Sequence, residues 1–379
     1  MQRLNVQGNL GELMLIGGAV ALYVATRTAV DAVSRGHPLS PGRKAVGHWL
    51  PIAVVALTAL ILKHPEIAVG LIFATSVASL SLVLGVTRFL APLAMEPGPA
   101  RKLWLFVLPA ALLVFLSGFG GELNLYHGGI LLIEGAVILM LWLGSESAPV
   151  GWVGGAYPPT AAPNNTSPAS PISPRLAGLA IIEIVLAILL AILGAWSANS
   201  GIIRMSQQTR FFSTGLLTAM TLSPLLMLPM VGMELPQPGA PKVADPTTTS
   251  VMLVLLNLCL LLPICIGVWY AIPYVARLLP EARIAATRPA VINPSADSTS
   301  TTAPTTAPDS TETATVQREG LLYPLPVWRV DTVVLIVLGF LLIPVGIGRW
   351  ELGRGEGIAL VVGYSIYLFL MMLIALKWG

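Results

Sequence analysis

Charge is what this sequence has least of. Of 379 residues only 10% are Asp, Glu, Lys or Arg, while 55% are hydrophobic. A soluble domain carries about a quarter charged residues, so a water-soluble globular enzyme is excluded. The formal net charge of +3 is too small to argue for a nucleic-acid partner. Cysteine is almost absent. Cys259 and Cys265 share one apolar run on different helical faces, which supports neither a disulfide nor a zinc site; both read as small core residues. No phosphate-cradling loop, nucleophile elbow, HExxH pair or Cys/His cluster is present, so enzyme chemistry is disfavoured and no cofactor is expected. A secretory signal is missing as well: Arg3 is the one early cation, and no small-residue cleavage site follows.

What is abundant is long apolar runs of membrane length, roughly 20 residues. They fall at about 13–31, 45–62, 67–87, 103–121 and 128–143, then at 176–198, 211–233, 251–276, 332–348 and 357–376. Most lack period-two alternation, so they read as helices rather than barrel strands. Residues 146–175, rich in Pro, Ser, Thr and Asn from Ala156 onward, read as a linker. Residues 280–320 read as a disordered Ser/Thr/Pro-rich insertion. The expected fold class is an all-α integral membrane protein with ten transmembrane helices. The expected division is a five-helix unit at 1–145 and another at 176–379, with the lipid bilayer as partner and the oligomeric state unknown. In the first half Arg27, Arg35, Arg43, Lys44, Arg88, Arg101 and Lys102 collect on one side, against Arg3 and Lys63 on the other. That asymmetry predicts both termini outside, and the expected location is the bacterial cytoplasmic (inner) membrane.

The chain also repeats itself. Gly120–Gly135 reads GGELNLYHGGILLIEG and Gly348–Gly363 reads GRWELGRGEGIALVVG. At constant offset the end glycines, Gly129-Ile130 with Gly357-Ile358, and Leu132 with Leu360 coincide. Each segment opens the last helix of a five-span group, and an odd-numbered repeat enters the membrane in opposite senses. Small residues Gly17, Gly18, Ala19, Ala21, Gly128, Gly129 and Gly135 suit close helix contact.

On these segments the sequence resembles the calcium/cation antiporter superfamily, the sodium/calcium exchanger membrane region. Gly47-His48-Trp49-Leu50-Pro51 matches a G-T-S-x-P-E-L pattern at its Gly and Pro. Lys63-His64-Pro65-Glu66-Ile67 follows as a turn, and Gly70–Gly85 matches a G-N-x-x-G-S-N-x-x-N helix at its end glycines. In the second half Leu222-Ser223-Pro224-Leu225 is the corresponding motif. The resemblance implies two inverted five-helix repeats, alternating access and a path lined by spans two, three, seven and eight. It also exposes a departure: the glutamate positions of the two motifs hold Ile52 and Leu225, and the asparagine positions hold Leu71, Ser76 and Ser79. The remaining polar path is Thr75, Ser76, Ser79, Thr218, Thr221, Ser223 and Asn257. Such neutral oxygens suit a monovalent ion or a water chain, whereas calcium wants six to eight oxygens, several of them carboxylate.

Other ionisable residues at membrane depth are His48, Glu134 and Glu183. Each reads either as a proton or cation relay or as a structural pair, and Pro51, Pro224 and Pro263 as helix kinks. The expected function is sodium/calcium exchanger-like cation antiport, of Na+, Ca2+, K+ or H+, with calcium coupling in question. The alternative is a non-transporting relative kept as a membrane scaffold or regulatory partner.

Overall fold

The computed structural model describes residues 3–34, 41–90, 103–147, 174–209, 212–234, 246–278, 321–347, 350 and 352–378. Residues 148–173 of the 146–175 linker and all of the 280–320 insertion lie outside the described residues, while the linker's first two and last two residues belong to helices. Ten helical rods are present among the described residues, and each of the ten apolar runs falls on one of them. They are α1 (Arg3–Ser34), α2 (Pro41–Ile61), α3 (Pro65–Leu90), α4 (Trp104–Ser117), α5 (Leu125–Ser147) and α6 (Pro174–Thr209). Then α7 joins Thr214–Leu217 to Ser223–Glu234, and α8 joins Pro246–Leu256 to Leu262–Leu278; α9 (Leu325–Ile347) and α10 (Arg354–Trp378) close the chain. Two-residue strands β1 (Glu122–Leu123) and β2 (Leu321–Leu322) pair antiparallel, Glu122 opposite Leu322.

Local chemistry sets these ends. Pro41, Pro65, Pro174 and Pro246 each open a helix, where the missing N–H would be unpaired in any case. Lys63 takes a left-handed φ of 62° and reverses the chain between α2 and α3 within three residues. The α5 start carries a reciprocal cap and the α10 start one half of such a cap. The Asn124 N–H donates to His127 Nδ1 at 3.3 Å and the His127 N–H to Asn124 Oδ1 at 3.1 Å. At α10 the Gly353 N–H donates to Glu356 Oε2 at 2.9 Å.

Among the described residues eight helices are long and apolar enough to cross a membrane; Trp104–Ser117 and Leu125–Leu141 are shorter apolar helices. The exterior is apolar too. Leu13 and Ile16 of α1, Ile181 and Leu193 of α6, and Ile366 and Phe369 of α10 all face outward, a surface that lipid covers and water would not tolerate. By contrast α3 is apolar all round and buried on every side from Ile67 to Ala78, as expected of a central helix.

Small residues bring the rods together. A Cβ on Gly18 would lie 2.6 Å from the Ala198 nitrogen, and one on Gly85 2.8 Å from the Gly357 carbonyl; α1 thus packs on α6 and α3 on α10. Gly135 meets the Cys259 carbonyl at 2.8 Å in the same sense, joining α5 to α8. The expected contacts hold for Gly18, Gly128 and Gly135, while Gly17 and Gly129 face open space. In α4 and α9, Phe115 stacks on Trp328 with centroids 5.6 Å apart and planes at 6°.

Two boundaries stand out besides the start of α1, which lies at Arg3 rather than near 13. Helix α9 begins seven residues earlier than the apolar run, at Leu325, and takes in Arg329 and Asp331. Helix α6 continues from 198 to Thr209. In both cases a polar residue ended the uncharged run without ending the helix.

Candidate functional site

Three helices contain a π-helical turn: Ser79–Val83 in α3, Thr218–Leu222 in α7 and Asn257–Leu261 in α8. Such turns are rare and concentrate at functional sites. Here they fall on three of the four helices expected to line a path. Two have a visible cause. Pro224 and Pro263 each lie two residues beyond a π turn; a proline has no N–H to donate to the carbonyl four residues back, and its ring clashes with that carbonyl. Widening that turn relieves the clash. Pro51 does not do so, since α2 stays α-helical through it.

Of the predicted polar residues, Thr75, Ser76, Ser79 and Asn257 come together between α3 and α8. Asn257 Nδ2 donates to Thr75 Oγ1 at 3.0 Å and to Ser76 Oγ at 3.2 Å, joining α8 to α3. Ser79 Oγ donates to the Ser250 carbonyl at 3.2 Å, a second tie between the same helices. The hydroxyl hydrogens are otherwise directed at their own helices: Thr75 to Leu71 O at 2.6 Å, Ser76 to Ile72 O at 2.7 Å, Thr218 to Thr214 O at 2.7 Å and Thr221 to Leu217 O at 2.6 Å. A hydroxyl bonded back in this way turns its lone pairs toward its neighbours. Thr75, Ser76, Ser79, Thr218, Ser223 and Asn257 are all fully buried, and Asn257 Oδ1 and Ser223 Oγ have no hydrogen-bond partner. Ile52, at the first motif's glutamate position, is buried in the apolar core, and Leu225 is half-buried.

The other ionisable candidates stand apart from this cluster. His48 is buried on α2, and neither ring nitrogen finds a partner. Glu134 on α5 lies beside Cys259, its Oε2 4.0 Å from the Sγ, and is half-buried. Glu183 is half-buried on α6 between lipid-facing neighbours Ile181 and Ile182 and exposed Val185. Both cysteines are buried free thiols.

Sequence reasoning missed two polar residues of the interior. Asn199 on α6 donates through Nδ2 to the Val55 carbonyl of α2 at 3.1 Å. Asp331 on α9 is fully buried and receives the hydroxyls of Tyr367 at 2.8 Å and Tyr323 at 3.2 Å. The signal for Asp331 was available: a single acid amid Trp328, Val330 and Val333 continues the helix, but a search for uncharged runs stops short of it.

At the end of α3 nearest Lys63, α3 meets the start of α7. Thr214 Oγ1 donates to Glu66 Oε1 at 2.7 Å, and His64 Nδ1 lies 2.8 Å from the same oxygen. Just beneath, α3 and α7 cross at glycines: a Cβ on Gly70 would come within 3.0 Å of the Gly215 carbonyl. Two cavities lie among largely apolar side chains alongside α3 and α8. One of about 340 Å³ is bounded by Val77, Val337, Leu341, Trp350 and Glu356, another of about 260 Å³ by Leu132, Gly135, Leu255 and Cys259.

This is an integral membrane protein whose buried polar centre sits at broken helical turns. Its fold is that of the sodium/calcium exchangers. It is similar to the sodium-calcium exchanger NCX_Mj soaked with sodium and strontium, with a TM-score of 0.56 at 14% identity over 96% of this chain and 98% of that one. The same exchanger soaked with sodium and calcium gives a TM-score of 0.55 at 14% identity, over 95% and 98%. Native YfkE gives 0.56 at 12% identity, over 96% and 91%. Identities this low speak for the fold alone. No family model matches the chain, and no curated protein sequence does.

Proposed function

We propose that this chain is a secondary transporter of a small cation, working by alternating access between inverted five-helix halves at 1–145 and 176–379 joined by the linker 146–175. The observation that carries the reading is the Asn257 amide, at the start of the α8 π turn, bridging to Thr75 and Ser76 on α3. The helix pairing supports a two-fold relation between the halves. Each of α1 and α4 packs on the helix five places later, and α3 with α10 mirrors α8 with α5. Irregular backbone at membrane depth is tolerated where protein or a transported ion satisfies it. NCX_Mj undergoes extracellular ion exchange and induced binding-site occlusion, and a closed centre is the corresponding state here.

The ligands argue for a monovalent ion or a proton rather than calcium. Hydroxyls and one amide offer oxygens without charge, and a dication stripped of water needs several carboxylates. One observation favours the second reading, a non-transporting scaffold: the Asn257 amide nitrogen occupies the lone pairs of Thr75 and Ser76 that an ion would use.

Uptake into proteoliposomes, with sodium, potassium, calcium and protons each scanned as driver and as cargo, separates the two. Exchange above empty liposomes is expected, and the Thr75→Ala, Ser76→Ala double variant is expected to abolish it while remaining folded. Unchanged flux in the variant removes those hydroxyls from the path. No exchange from folded wild-type protein decides for the scaffold.

A further inference from the structure

Asp331 sits six residues inside α9, about 9 Å from the helix start at 1.5 Å per residue. Each of its carboxylate oxygens accepts one phenol: Oδ1 from Tyr367 on α10 and Oδ2 from Tyr323 just before α9. Both phenols are buried. The surroundings bring no cation to it among the described residues. On α9 itself, Arg329 points outward. Helix α4 carries no titratable group. On α3 the charged groups are Glu66, engaged with Thr214 and His64, and Arg88, buried near the helix's other end beside Gly357 of α10. Helix α10 contributes Tyr364 and Tyr367, while its Arg354, Glu356 and Lys377 are exposed at its ends.

The cluster is connected to the polar centre in two directions. The Tyr364 and Tyr367 rings lie 5.9 Å apart, and the Tyr364 hydroxyl lies near Ser223 of the second motif without a hydrogen bond to it. In the other direction the Tyr323 hydroxyl lies over the α3–α7 crossing, 3.2 Å from where a Gly70 Cβ would stand. A movement that parts α3 from α7 therefore bears directly on a ligand of Asp331.

We propose that Asp331 is a proton-binding site, and that a proton carried on its carboxyl is the coupling ion of this chain. The binding rests on the geometry of the cluster; the coupling rests on the transporter reading above. Uptake forms one O–H bond on the carboxylate from hydronium and releases water. Discharge breaks that bond and returns the proton to water, with no electron transferred. Four oxygens meet here, and two of them are phenols whose hydrogens are directed at the other two. A dication needs six to eight oxygens, whereas a proton needs a single lone pair. An ionised carboxylate buried without a cation is costly, and a bound proton removes the charge. The acid that the two motifs lack at Ile52 and Leu225 is thus supplied from the ninth helix.

Infrared difference spectra of the folded protein across a pH titration read the site directly. A protonated-carboxyl band is expected to grow as pH falls, to vanish in Asp331→Asn and to shift in Tyr367→Phe, which keeps the acid. No such difference between wild type and both variants overturns the proton site, whatever the flux. In proteoliposomes carrying an internal pH dye, proton movement driven by a sodium or potassium gradient is expected in the wild type and is lost to the level of empty liposomes in Asp331→Asn. Cation-driven proton flux retained in Asp331→Asn overturns the coupling and leaves the transporter reading intact. A titrating band with no wild-type flux of any ion supports the site and overturns the transporter reading.

Discussion

Asn257 joins the two halves through one side chain, and its amide end decides what the centre can hold. Its nitrogen serves Thr75 and Ser76 while its oxygen is unpartnered. Both hydroxyls keep their bonds to the Leu71 and Ile72 carbonyls without it, so truncation costs moderately. Asn257→Ala is expected to destabilise by about 1–3 kcal/mol, the usual range for removing one partner of a buried hydrogen bond, read as a lower melting temperature in a fixed detergent. Asn257→Asp does the reverse to the chemistry. Thr75 and Ser76 would face a single carboxylate, too few for calcium, so a sodium-dependent rise in melting temperature is expected in Asn257→Asp without a calcium-dependent one. A calcium-dependent rise in the wild type would mean that neutral oxygens already bind calcium there, against the monovalent reading.

At the scale of elements, two of the three π turns trace to prolines placed two residues beyond them. Pro224→Ala and Pro263→Ala restore the N–H and remove the ring, which favours a regular α-helix by up to about 3 kcal/mol in a helix interior. Each variant is expected to melt higher and transport less, because the widened turn carries Thr218 and Thr221 or Asn257. A higher melting temperature with unaltered flux would make the π turns a packing device. The elements themselves were legible in the sequence, since uncharged length marks a membrane helix whatever its neighbours. Helix α9 was legible only from its middle onward. Arg329 and Asp331 interrupt the run, and what shelters Asp331 is a phenol 36 residues further along the chain. The list of polar candidates on α3, α7 and α8 was legible too, but not their partners: hydroxyl positions on separate helices carry no sign of which will meet. Of the π turns, Pro224 and Pro263 gave a signal for two, while Ser79–Val83 has none in sequence. The two-residue β1–β2 pairing is too short to leave a pattern.

For the molecule as a whole, alternating access requires that the halves separate at each end in turn. At the end formed by the α2–α3 turn and the start of α7, they are closed by the Thr214–Glu66 hydrogen bond and the glycine crossing beneath it. Tyr323 is packed against that crossing, so the same closure shelters Asp331. A covalent link placed here should therefore stop transport without touching the polar centre. Glu66→Cys with Thr214→Cys replaces the hydrogen bond by a disulfide between the halves. The native thiols Cys259 and Cys265 are buried and lie outside this end. Oxidised proteoliposomes are expected to lose cation exchange and to regain it on reduction, while each single variant exchanges in both conditions. Full exchange by protein shown to be cross-linked would mean that this end stays shut through the cycle, and that the halves do not rock about their shared centre.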